Sequence, residues 1–160
     1  MDFGVSVDQS LSKEEKYDQI LPMVKAVVGA ETNLIANLAN IAAIFKYNFH
    51  FHWFGFYIKE RNSLVLGPFQ GPMACTRIAK SKGVCGAVVD QKASLIVPDV
   101  NKFVAHIACS AVTQSEIVVP VIKGHDVIMV IDVDSEHLDH FDSTDQKHLE
   151  ELALIIASLD

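Results

Sequence analysis

The three cysteines of the chain, Cys75, Cys85 and Cys109, all fall between Gly67 and Pro120, the stretch that holds most of the turn residues of the middle of the protein. A structural cysteine is usually a small hydrophobe inside a periodic element. Three of them on Gly- and Pro-bearing segments point instead to thiol chemistry, and each has an activator in the sequence. Cys85 stands near the start of a short predicted helix, whose dipole should lower a thiol pKa below its reference of about 8.5. Cys109 lies in a long predicted loop with His106 three residues before it, and Cys75 has Arg77 two residues after it. Residue chemistry alone does not rank the three. Asp132 and Asp134 share one face of an otherwise apolar run, VIMVIDVD. Carboxylates buried there need a counter-charge or donors, so the pair reads either as a strand end emerging into solvent or as a clamp for a cation such as an amino acid's ammonium. Glu116 precedes the apolar run IVVPVI and follows Cys109 by seven positions. In HFHWFGFYI, residues 50–58, strand alternation puts Trp53, Gly55 and Tyr57 on one side, the glycine leaving a gap between two rings. That side is either a core aromatic cluster or the wall of a small apolar pocket.

The elements that must carry these groups follow from periodicity. Tyr17, Ile20, Leu21, Val24, Val27 and Val28 line one helical face, with Ser12 and Glu15 as a capping box. Pro22 predicts a kink or a division into two short helices, and Gly29 ends the segment. Leu34, Ile35, Leu38, Ile41, Ala42 and Phe45 predict a second helix, with Asn33, Asn37 and Asn40 on its polar face. Strands are expected at residues 50–58, from Leu64, at 94–97, at 117–122 and at 127–133, the last two joined by a hairpin turn through Gly124. Gly67 and Pro68 should open the loop-rich centre. Residues 87–90 read as a short helix start, residues 99–115 as a structured loop, and the C-terminal segment as a helix capped by Ser143 with Gln146. The order gives an α+β fold, helices packed on an antiparallel sheet.

At 160 residues the chain is long enough for one domain with a full core. A net charge of −7 without a Lys/Arg cluster argues against nucleic acid. No apolar run reaches the ~18 residues of a spanning helix, and the N-terminus does not read as a secretory signal. The expectation is a cytoplasmic protein with no membrane partner, whose odd number of thiols stays reduced. The cysteines lie 10 and 24 positions apart and none of the seven histidines forms a metal knuckle, so no metal or cofactor is expected, and zinc would need long-range assembly.

The runs GPFQGPMACTRI, SKGVCGAV, VPDVNKF, HIACSAVTQSEIVVPV and IDVDS, with WFGFY and TNLIANLAN, resemble the free methionine-(R)-sulfoxide reductases, single GAF-domain enzymes, over about residues 17–157. The resemblance implies one GAF domain over residues 1–160, with 1–11 a flexible N-terminal segment, and reduction of free L-methionine (R)-S-oxide. It implies Cys109 as nucleophile, Cys75 as resolving thiol and Cys85 as a secondary thiol. Glu116 would assist at the oxygen, Asp132 and Asp134 would hold the ammonium, and Trp53 and Tyr57 would line the substrate pocket. The oxidised enzyme would pass through a sulfenic acid and an intramolecular disulfide that thioredoxin reduces, and a homodimer follows by analogy. Around the nucleophile loop the chain has Asn101, Val104 with Ala105, and Ser110 where the family carries a histidine, a proline and glycine, and an aspartate. The rivals are a non-catalytic GAF small-molecule sensor and a redox or zinc-binding module.

Overall fold

A computed structural model of the chain describes residues 6–104 and 111–159. Ser12 opens helix α1 (Lys13–Gly29): its hydroxyl accepts from the Glu15 N–H, while the Glu15 carboxylate accepts from the Ser12 N–H at 2.9 Å. The expected division at Pro22 does not occur, and α1 is continuous through it. Pro22 lies on the exposed side, where the carbonyl of exposed Asp18, deprived of its donor, can be met by water. Helix α2 (Leu34–Phe49) starts at Asn33, whose side chain accepts from Ala36 N–H at 3.0 Å, and stops at His50 in the left-handed region, φ 56°. Asn37 departs from the polar-face reading: it is buried, with Nδ2 donating to the Glu31 carbonyl at 2.8 Å.

The sheet has six antiparallel strands in the order β3-β2-β1-β6-β5-β4. They are β1 (Trp53–Glu60), β2 (Ser63–Gln70), β3 (Arg77–Ala79), β4 (Leu95–Val97), β5 (Ser115–Lys123) and β6 (Asp126–Ser135). Gly67 and Pro68 lie inside β2 rather than in a loop. Helix α3 (Gly83–Gln91) begins four residues before the expected start, and a single 3₁₀ turn covers Val100–Lys102. Helix α4 (Ser143–Ala157) is capped by Asp142 with Asp145, not by Ser143 with Gln146. Asp142 Oδ1 accepts from Thr144 N–H at 2.7 Å, and Asp145 is held in place by Tyr17 OH, which donates to it at 2.8 Å, and by the Lys13 ammonium. Those contacts come from α1, so the local motif could not reveal them.

Strand alternation separates two cores. Phe54 and Phe56 of β1, Ile117, Val119 and Val121 of β5, and Met129, Ile131 and Val133 of β6 face the layer of α1, α2 and α4. There they meet Ile20, Val24, Leu38, Ile41, Phe45, Leu149, Leu152 and Ile156, each burial contributing about 1.5–3 kcal/mol. The opposite face carries Trp53, Tyr57, Leu64, Val118, Val127 and Val130 under Val84, Cys85 and Val88 of α3. Val7 is buried and its N–H donates to Asn48 Oδ1 at 2.9 Å, which ties part of the expected flexible N-terminal segment to α2. No helix among the described residues is long and apolar enough to cross a membrane.

Candidate active site

The α3-side face of the sheet collects the acids. Asp132 and Asp134 are two apart on β6 and point the same way; Glu116 of β5 pairs with Asp134, while Trp53 and Gly55 of β1 pair with Asp134 and Asp132. A bulge sets this arrangement. The hairpin closes with Lys123 opposite Asp126 and Ile122 opposite Val127, but beyond the register shift Val121 faces Met129, leaving Ile128 as the extra residue. Without that residue Glu116 would pair with Val133, and Asp132 and Asp134 would point into the apolar layer.

Glu116 and Asp132 are each 7% exposed, with a carboxylate oxygen of one within 4.8 Å of a carboxylate oxygen of the other; Asp134 is half-buried. The Cys85 thiol, on the third residue of α3, donates to Asp132 Oδ2 at 3.5 Å, and Asp132 Oδ1 is buried without a partner. Burial raises all three carboxyl groups. Asp132 is pushed up to about 6, restrained by the neighbouring Cys85 and Glu116 side chains. Glu116 goes well above the carboxylate range through burial and then the charges of Asp132 and Asp134, and Asp134 likewise through burial and Asp132. The three carboxyl groups titrate as a unit, each held above the ordinary carboxylate range. Among the described residues no cation offsets this cluster.

Cys85 corrects the expectation of a thiol acidified by a helix N-terminus. Its Sγ is buried, and desolvation together with Asp132 and Glu116 pushes it well above the ordinary thiol value. Dipole stabilisation of about 1 kcal/mol is outweighed by burial against carboxylates. Cys75, in the β2–β3 loop, is half-buried. Cys109, with His106, Ala105 and Ser110, lies outside the described residues.

The rings tie that loop to the sheet. Trp53 Nε1 donates to the Pro72 carbonyl at 3.1 Å, and Tyr57 OH donates to the Cys75 carbonyl at 2.9 Å. Burial, then the charge of Asp132, raises the Tyr57 phenol, so it stays a donor. The gap expected at Gly55 is filled by Trp53 itself: a Cβ at Gly55 would lie 2.4 Å from Trp53 Cη2 and from Phe69 Cβ. Phe69, whose ring centroid is 5.3 Å from that of Trp53, is a wall residue missed in the sequence; the hairpin register that places it opposite Gly55 was the available signal. Gly71, at φ 140°, is required beside Trp53, since a Cβ would lie 2.6 Å from its Cδ1.

The arrangement can accept a cation on the carboxylates and donate a proton from Glu116, beside the buried Trp53 and Tyr57 rings. Cys85, Glu116 and Asp132 have donor atoms within 4.8 Å of one another and form a possible metal-ligand set; a second such group among the described residues, Glu14, Asp18 and His148, lies between α1 and α4.

The profile of the GAF domain family matches residues 32–159. GAF domain-containing protein A of Dictyostelium discoideum is 51% identical over 146 residues, covering 91% of this chain and 92% of that protein. The free methionine-R-sulfoxide reductase of Saccharomyces cerevisiae is 40% identical over 161 residues, covering 95% of this chain and 89% of the yeast protein. The X-ray structure of free methionine-R-sulfoxide reductase from Neisseria meningitidis, in complex with its substrate, superposes with a TM-score of 0.91 at 46% identity, over 92% of this chain and 90% of that one. The chain is a GAF domain and belongs to the family that includes the proteins named free methionine-R-sulfoxide reductase.

Proposed function

We propose that this protein reduces free L-methionine (R)-S-oxide to L-methionine. The observation that carries the reading is the buried Glu116–Asp132–Asp134 cluster, which has an orphaned oxygen on Asp132 and no cation among the described residues to balance it. Such a cluster is costly alone and favourable around an ammonium. The α-ammonium of a free amino acid supplies that charge, and a residue inside a peptide does not. The relatives' names agree with this substrate class.

Asp132 and Asp134 hold the ammonium, and Trp53 and Tyr57 face the S-methyl end. Cys109 is the nucleophile: its thiolate attacks the sulfoxide sulfur while Glu116, kept protonated by burial, gives its proton to the oxygen. The sulfoxide gains two electrons and leaves as methionine; Cys109 retains the oxygen as a sulfenic acid. Cys75 then attacks that sulfur, an S–S bond forms and water leaves. A dithiol such as thioredoxin restores both thiols by exchange. Cys85 stays protonated on Asp132 and serves as a secondary thiol.

Methionine release from the separate R and S epimers tests the reading, with reduced wild type and Cys109→Ser compared under dithiothreitol or thioredoxin. Release from the R epimer alone, abolished by the substitution, is expected. No release from either epimer by reduced wild type removes the reductase reading and leaves a small-molecule sensor.

A further inference from the structure

The same cluster combines a soft donor with two hard ones. Cys85 Sγ and Asp132 Oδ2 are 3.5 Å apart, and Glu116 completes a set within 4.8 Å. Around tetrahedral zinc, a sulfur at about 2.3 Å and an oxygen at about 2.0 Å stand roughly 3.5 Å apart. Both side chains that hold this spacing are more than nine-tenths buried, and Asp132 retains an oxygen with no partner. A thiol and two carboxyl groups without a cation can lose protons to a divalent ion, which then supplies the missing positive charge. Thiolate softness favours zinc or cobalt over magnesium or calcium.

We propose that Cys85, Asp132 and Glu116 bind a thiophilic divalent cation of the Zn²⁺ class, leaving a fourth position open. Occupied, the site takes over Asp132 and Glu116, so the ion excludes the substrate; this last clause rests on the function proposed above. Cys85 thereby acquires a role distinct from resolving a sulfenic acid: it makes the acid cluster selective for a soft metal.

Cobalt(II) titration of the reduced full chain carrying Cys75→Ser and Cys109→Ser tests this, because Cys85 is then the only thiol. A thiolate-to-cobalt charge-transfer band, displaced by Zn²⁺, is expected. Adding Cys85→Ser should remove the band and weaken Zn²⁺ binding by more than the roughly 10- to 100-fold that losing a supporting partner costs. Asp132→Asn should weaken it with the thiol intact. Circular dichroism of each variant separates loss of a ligand from loss of fold. No band in the double-serine protein, or a band that survives Cys85→Ser, overturns the site. Free methionine (R)-S-oxide should bleach the band, and a band unchanged at saturating sulfoxide overturns the exclusion. Because no turnover is measured, failure here leaves the reductase reading intact, and failure to release methionine leaves the metal site intact.

Discussion

Asp132 is the residue on which the site's electrostatics turn. Its carboxyl is pushed up to about 6, chiefly by burial, from the ordinary value near 4 that it has in the unfolded chain. A raised acid contributes stability that is complete below the unfolded pKa and is lost as pH rises through the folded one. The window is therefore about pH 4–6 and just above. Asp132→Asn removes this titration. The urea midpoint of the variant relative to wild type should climb as pH increases from 4 to 7.5, and a difference that stays flat with pH would show that Asp132 is not a desolvated acid. The same substitution should abolish binding of an ammonium-bearing ligand, so stability gained there is function lost. Glu116 and Asp134 belong to the same coupled system and share the sign.

At the scale of elements, β1 is built around a glycine that gives its place to a ring. Trp53 folds over Gly55 and stacks near Phe69 and Tyr57, while its Nε1 holds the loop that carries Cys75. Gly55→Ala places a Cβ 2.4 Å from both Trp53 Cη2 and Phe69 Cβ, and overpacking of that kind costs about 1–3 kcal/mol. Trp53 is the chain's single tryptophan, so its emission should shift to the red as the ring is driven out. Unchanged emission and midpoint would mean the rings repack freely. The strand run and its alternation were legible from residue types alone, as were both helices of the N-terminal layer and the candidate acids. What was not legible depended on contacts distant in sequence. The Ile128 bulge turns Asp132 and Asp134 to the face that carries Glu116, since a two-residue turn extended without it gives the opposite register. The Cys85 environment reversed for the same reason: helix position is a local signal, whereas the three carboxylates beneath it come from β5 and β6. Asp142 replaced Ser143 as cap because α1 supplies Lys13 and Tyr17 to its partner Asp145.

At the scale of the whole molecule, the sheet divides stability from chemistry. Its helix-facing side is apolar, while the α3-facing side keeps a buried acid cluster with no cation beside it among the described residues. Such a molecule should be most stable with its ligand bound. A ligand present at a hundredfold excess over Kd adds about 2.7 kcal/mol, which for a chain of this size raises Tm by roughly 5–10 °C. Because the cluster calls for a positive charge, the gain should follow the amino group. Free methionine (R)-S-oxide should raise Tm, the N-acetylated sulfoxide should not, and Asp132→Asn should lose most of the response to the free compound. A thermal-shift series on these ligands, with the cysteines reduced and methionine release blocked by Cys109→Ser, separates recognition from reaction. Equal stabilisation by the free and acetylated compounds would remove the ammonium from the site and assign the carboxylates to another cation.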